Sequence, residues 1–266
     1  MNDRASTDLT PFVRRGVDAR GVVTLTLDRP QAFNSLSEGM LAALQAELHA
    51  IAADDNVRAV VIAAGGKAFS AGHDLKEMRA RPSQAYYEDL FARCARMMLA
   101  LQKLPVPVIA RVQGIATAAG CQLVAACDLA VAAKEARFAV SGVNLGLFCS
   151  TPSVALGRNL GRKAAFEMLV TGEFISADEA RERGLVNRVV AADALDAEVE
   201  KIVAAIVAKP RVAIALGKQL FYRQLETGTA AAYEDAGRTM ACNMMETATL
   251  EGVQAFIEKR KPDWQA

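Results

Sequence analysis

Two turns of small residues carry the residue types in this chain that could do chemistry. One is Gly114, Ala116, Thr117, Ala118, Ala119 and Gly120, which follows an apolar, proline-punctuated run at 105–110 that reads as a buried strand. Residues 121–126, Cys-Gln-Leu-Val-Ala-Ala, continue as a short apolar helix. A strand, a turn without bulky side chains and a helix start leave backbone N–H groups where a ligand can approach closely. The other turn is Phe69-Ser-Ala-Gly-His-Asp-Leu75, delivered by a β-branched run at 57–62. The expectation is that the two turns meet at one oxyanion pocket, where two N–H groups converge on one oxygen and stabilise an enolate or a tetrahedral oxyanion. Removing one donor of this kind typically costs ~10²–10³ in rate. Tight strand-to-helix packing produces the same Gly/Ala composition, so either turn read singly leaves both explanations open.

The elements that must position these turns follow from periodicity. Val22–Leu27 alternates as a strand and is ended by Asp28-Arg-Pro-Gln. Ser37 caps a helix with Met40, Leu41, Leu44, Leu48 and Ile51 at helical spacing. Strands are expected at 57–62, 106–110 and 129–133, with a helix at 83–101. The order strand, strand, helix thus recurs without a visible sequence repeat. Further strands at 138–140 and 185–190 flank helices at 154–160 and 163–171. Ser176, three residues before Glu179, has the form of a capping box. From residue 193 the pattern is helical throughout, at 193–208, 210–224, 229–245 and 249–259. The expected organisation is an α/β core over 1–195 and a helical region over 196–266. Met240, Met244, Met245 and Leu250 offer more apolar surface than a lone helix hairpin hides, which points to another subunit.

Composition bounds the rest. A chain of 266 residues with 52% apolar and 23% charged residues can bury a substantial core and belongs among soluble globular proteins. A net charge of +1 supplies no field for nucleic acid or a membrane surface. Residues 1–10 are polar, with Asp3, Arg4 and Asp8, and lack the apolar core of a secretory signal. No apolar run approaches the ~20 residues of a membrane span. The five cysteines (Cys94, Cys121, Cys127, Cys149, Cys242) lack Cys-x-x-Cys spacing and read as reduced thiols of a cytoplasmic protein. Two histidines, neither near a cysteine pair, give no reason to expect a metal site.

Taken together, Phe69-Ser-Ala-Gly-His-Asp-Leu-Lys-Glu-Met78 and Gln113-Gly-Ile-Ala-Thr-Ala-Ala-Gly-Cys-Gln-Leu, followed by Cys127-Asp128, resemble the enoyl-CoA hydratase/isomerase (crotonase) superfamily. The resemblance runs from about Val22 to Trp264. It includes Leu27-Asp-Arg-Pro-Gln-Ala-Phe-Asn34, the segment 172–190 and the closing Ala255-Phe-Ile-Glu-Lys-Arg-Lys-Pro262. Within it, the stretches 116–123 and 142–152 are similar to the enoyl-CoA hydratase domain-containing protein 3 subgroup. The resemblance implies a spiral of ββα repeats with a C-terminal helical region that trimerises, often into a dimer of trimers. It implies acyl-CoA thioesters as ligands, with coenzyme A as part of the substrate and no permanently bound cofactor. The oxyanion donors it implies are the N–H groups of His73 and Ala119. Substrate contacts are implied at Arg29, Ala71, Gly72, Asp74, Leu75, Gly120, Cys149 and Ser150. Phe256 and Lys259 match the residues that contact the CoA nucleotide, usually from a neighbouring subunit; a solvated helix end is the plainer reading of Lys259-Arg-Lys261.

The pattern breaks where proton transfer is concerned. Hydratases of the family use two glutamates, and their positions fall at Gln122 and Gly142. Glutamine orients a water but cannot exchange a proton at neutral pH, and glycine offers nothing. Loss of one acid–base group commonly costs ~10²–10⁴-fold. Efficient hydration is therefore not expected. The aspartate of dienoyl-CoA isomerases falls at Ser150 and the tyrosine of methylmalonyl-CoA decarboxylases at Cys149. Cys149 reads as a small pocket wall, and His49 as a solvated helix residue. For His73 two readings stand: only its N–H matters and the ring rests on the surface, or the ring is an acid or base. The functions left are a hydratase/isomerase-type enzyme stabilising a thioester enolate, a non-catalytic acyl-CoA-binding protein, or a decarboxylase or thioesterase that uses His73.

Overall fold

The computed structural model describes residues 11–264; the polar stretch 1–10, where a secretory signal was sought, lies outside them. An antiparallel hairpin comes first, with β1 (Val13–Val17) paired to β2 (Val22–Leu27). Ser37 Oγ accepts from Met40 N at 3.2 Å and caps α1 (Glu38–Ala52), which buries all five of the apolar residues its periodicity marks. Three turns of a spiral follow. The first is β3 (Ala59–Ala64), β4 (Ala68–Ser70), α2 (Leu75–Ala80) and α3 (Gln84–Lys103). The second is β5 (Val108–Val112), β6 (Ile115–Thr117) and α4 (Ala119–Ala126). The third is β7 (Leu129–Ala133), β8 (Arg137–Ala139), α5 (Ser150–Asn159) and α6 (Arg162–Thr171). Then come β9 (Ile175–Ser176), α7 (Ala177–Glu182) with the Ser176/Glu179 capping box, and β10 (Arg188–Val190). The chain ends in α8 (Leu195–Val207), α9 (Arg211–Gln224), α10 (Thr229–Met244) and α11 (Thr247–Ile257).

The first strand of each spiral turn enters a six-stranded sheet ordered β1-β2-β3-β5-β7-β10, parallel except at the β1 edge. The second strand enters a four-stranded sheet ordered β4-β6-β8-β9, closed by antiparallel β9. The α/β spiral read from the sequence is therefore the fold. Parallel strands covered on both faces read as unbroken apolar runs, and β3 (Ala-Val-Val-Ile-Ala-Ala) is such a strand. Val60, Ile62, Val108 and Ala110 face the main core. Their neighbours Ala59, Val61 and Ile109 face the other way, onto Leu195, Val199, Ile202 and Val203 of α8. The spacing of those four residues makes one apolar stripe along the helix.

That stripe packs α8 onto the sheet. Two strands lie two residues later than expected, at 59–64 and 108–112. β1 has no counterpart in the sequence reading because only its first residue is buried. α2, for which the sequence reading marks no helix, owes its start to Asp74, whose carboxylate accepts from Lys76 N at 2.9 Å and Glu77 N at 3.3 Å. Among the described residues no helix is long and apolar enough to cross a membrane.

Candidate active site

The two turns of small residues touch. Gly72, at φ +86°, leads from β4 into residues 73–74. A Cβ built on it would lie 3.0 Å from Ala119 N and 2.9 Å from Ala118 Cβ. Reciprocally, a Cβ on Gly120 would lie 2.2 Å from Ser70 O. Each glycine is thus required by the other turn's approach. Ala118 sits at φ 51°, ψ −122°, a conformation that L-residues rarely hold and that costs of order 1–3 kcal/mol. It caps α4 without a side-chain bond, and its own N–H donates to Ala139 O at 3.0 Å. The amides of His73 and Ala119 have no backbone carbonyl acceptor among the described residues.

The first turn is held from outside by the strap 33–36. Ala71 N donates to Phe33 O at 3.0 Å and Leu36 N to Gly72 O at 2.7 Å. Asn34 is wholly buried at φ 51°; its Nδ2 donates to Gly65 O (2.8 Å) and Ala68 O (2.9 Å), and its Oδ1 accepts from Arg29 N (2.9 Å). Ser70 Oγ donates to Asn34 O at 2.9 Å. Asn34 was given no role from the sequence, although Asn is the non-glycine residue that best tolerates a positive φ.

Both turns face one cavity of ≈ 200 Å³. Ala71, His73, Ala118 and Ala119 form one wall, Leu75 and Phe91 another, and the segment 141–152 closes it. The His73 ring is half-buried rather than resting on the surface. Its Nδ1 lies 3.2 Å from Leu36 O, which can only accept, so Nδ1 carries the proton in that contact. Nε2 is then the ring's acceptor, and it is buried without a partner. Burial holds the imidazole below its ordinary pKa, against the Leu36 bond. The Phe91 ring packs on it at 5.5 Å between centroids.

Gly142 is enclosed rather than open. A Cβ there would lie 2.5 Å from Leu147 O and 2.7 Å from Cys149 Sγ, so no glutamate fits without moving the loop. Cys149 is 7% exposed, and burial pushes its thiol up while the Gly142 backbone bond opposes the shift. Cys121 is pushed up to about 12 by burial. Neither sulfur is a thiolate nucleophile at neutral pH. Gln122 is 4% exposed, has an unpartnered Oε1, and does not line the cavity.

Of the other residues singled out by sequence, Ala71, Leu75, Cys149 and Ser150 line the cavity. Gly72 and Gly120 serve as the turn-to-turn contact. Asp74 caps α2 instead of facing the cavity, and Arg29 lies over the Phe12 ring at 4.5 Å. Phe256, 85% exposed, and Lys259 are not at the cavity of their own chain. Phe91 was missed because it reaches the site from α3, remote in sequence. Among the described residues no group of three His, Cys, Asp or Glu side chains is placed to hold a metal ion.

A ββα spiral whose Gly72 and Ala119 turns meet at one apolar cavity defines a crotonase-type protein, and residues 18–266 match the family described as enoyl-CoA hydratase/isomerase. The chain belongs to that family. Within it the chain is an enoyl-CoA hydratase-like protein of the enoyl-CoA hydratase domain-containing protein 3 subgroup. The relative of that name from Xenopus laevis is 48% identical over 244 residues, covering 92% of this chain and 83% of its own length. The solved structure of the human protein of that name is 43% identical, with TM-score 0.92 over 96% of this chain and all of that one. A structure described as enoyl-CoA hydratase of Mycobacterium smegmatis is 70% identical, with TM-score 0.96 over 97% of this chain and all of that one. The expectation of a cytoplasmic protein is corrected by the curated relatives of this subgroup, which are named mitochondrial.

Proposed function

We propose that the cavity receives the acyl end of a CoA thioester and that the His73 and Ala119 amides donate to its carbonyl oxygen, stabilising an enolate or oxyanion. The observation that carries this is the 3.0 Å approach of the Gly72 position to Ala119 N at the wall of one cavity. Coenzyme A enters as part of the substrate, and no separate cofactor is required. The exposed apolar side chains of α10 and α11 supply the contacts of a homotrimer or dimer of trimers.

Proton transfer is the weak part of this site. A carboxamide stands at Gln122, no side chain fits at Gly142, and His73 Nε2 is walled in. Thioester binding without efficient hydration follows, and a binding or regulatory role is the second reading, favoured by a cavity lining that holds no carboxylate. The test measures CoA-thioester binding and crotonyl-CoA hydration for wild type, Gln122→Glu and Gly142→Glu. Wild type is expected to bind but to hydrate at least ~10²-fold more slowly than a two-glutamate hydratase. Gly142→Glu is expected to restore nothing. Absence of thioester binding, or wild-type turnover equal to that of a two-glutamate hydratase, would overturn the reading.

A further inference from the structure

The loop over Gly142 decides how much acyl chain the cavity holds. Residues 141–149 bond to themselves and to both neighbours: Leu147 N donates to Gly142 O and Gly146 N to Val143 O, each at 3.0 Å. Ser141 Oγ and Thr117 Oγ1 are 2.9 Å apart, and Asn144 Nδ2 donates to Gly172 O at 3.3 Å. So tied, the loop sets its Cys149 sulfur in the space over Gly142 that a side chain there would need. Leu145 and Leu147, which also line the cavity, are 68% and 48% exposed.

We infer that the protein's affinity for acyl thioesters stops rising at about eight carbons, with Cys149 as the residue that fixes the length limit; this rests on the cavity being the thioester site. An apolar cavity of ~150 Å³ holds the six carbons of benzene. By that ratio the ≈ 200 Å³ here takes roughly eight non-hydrogen atoms. Methylenes beyond that number lie on the rim with one side in water and add little. Within the cavity the wall is apolar, so each added methylene strengthens binding by up to about fourfold.

The test is calorimetric titration with CoA and with acetyl-, butyryl-, octanoyl- and dodecanoyl-CoA, saturated thioesters that need no proton transfer to bind. Affinity is expected to climb from acetyl to octanoyl and then to level, dodecanoyl lying within about threefold of octanoyl. Cys149→Phe is expected to lower octanoyl-CoA affinity at least tenfold more than acetyl-CoA affinity, and Cys149→Ala to move the levelling point to longer chains, CoA affinity reporting the fold in both. A climb continuing through dodecanoyl, or a Cys149→Phe protein that binds octanoyl-CoA as wild type does, overturns the length limit alone. Failure of CoA and every thioester to bind overturns the assignment of the cavity and this inference with it.

Discussion

Ala118 and Gly72 hold the backbone in conformations that ordinary residues avoid, and the two strained points face one another. For Gly72 the strain and the space coincide: φ is +86° and an added methyl meets Ala119 N and Thr117 O, both at 3.0 Å. Gly146 separates the two effects, with φ +78° and nothing within 4 Å. Gly146→Ala is expected to cost about 1–2 kcal/mol in urea unfolding, the left-handed penalty alone, and to leave thioester affinity nearly intact. Gly72→Ala is expected to cost several kcal/mol and to abolish that affinity, because the turns must separate. Equal losses in the two variants would mean that the turn-to-turn contact is not needed. His73 carries the pH dependence of the site. Its folded-state pKa lies below the unfolded value, so the neutral ring is favoured by folding. The resulting stability is present above about pH 6.5 and is lost as pH falls below it toward the folded pKa. His73→Asn, which keeps a donor toward Leu36 O and has no imidazole, is expected to lose less melting temperature than wild type between pH 7.5 and 5.5. Parallel curves for the two proteins would contradict the burial of the ring.

At the level of elements, α9 is fastened to the core by a buried charge. Lys218 Nζ donates to Leu101 O and Val106 O, each at 2.9 Å, and to Asp128 Oδ2 at 2.6 Å. Asp128 also accepts from Tyr222 OH and Val108 N, each at 2.6 Å. Burial pulls the Lys218 ammonium below its ordinary pKa while Asp128 raises it, and burial followed by Asp128 pushes the Tyr222 phenol up. Asp128→Asn leaves the ammonium buried without its counter-charge and is expected to cost about 3–5 kcal/mol. Lys218→Met, added to it, is expected to recover part of that loss, a coupling that denaturant titration of the single and double variants reads directly. Additive losses would deny the clamp. None of this was legible in the sequence, where Asp128 was only part of a motif and Lys218 one lysine on a helix. What was legible had a local cause: the Ser37 cap, the capping box at Ser176, the period of α1 and the apolar runs of β3 and β5. What was not had a distant one. β1 pairs at an edge with all but its first side chain in water, α8 finds its partners in a sheet that begins at Val13, and the closure over Gly142 depends on Leu147 and Cys149 folding back. The two-turn meeting was foreseen because glycines at 72 and 120 are a local trace of a long-range contact, whereas the ring of His73 lost its surface position to Phe91 on another helix.

The whole molecule has an apolar face that a single chain leaves in water. Tyr233, Met240 and Met244 recur at positions 0, 7 and 11 along α10, one stripe of the helix, and Tyr233 and Met240 are 77% and 72% exposed. An exposed apolar stripe of this kind fits the subunit contact proposed above. α11 carries Phe256 and Ile257, 85% and 66% exposed, and neither lines the cavity of its own chain. If Phe256 contacts CoA, as the resemblance implies, it does so at a neighbour's cavity, and oligomer and ligand site would then be linked. Wild type is expected to sediment as a trimer or twice that. Tyr233→Glu with Met240→Glu places two charges on the stripe and is expected to yield monomers whose CoA affinity falls about tenfold or more. Phe256→Ala is expected to weaken CoA to a similar degree without changing the sedimentation coefficient, because it removes the contact and leaves the stripe. Monomers that bind CoA as tightly as the assembly would show each chain to be complete by itself, and the exposed stripe would then serve some other contact.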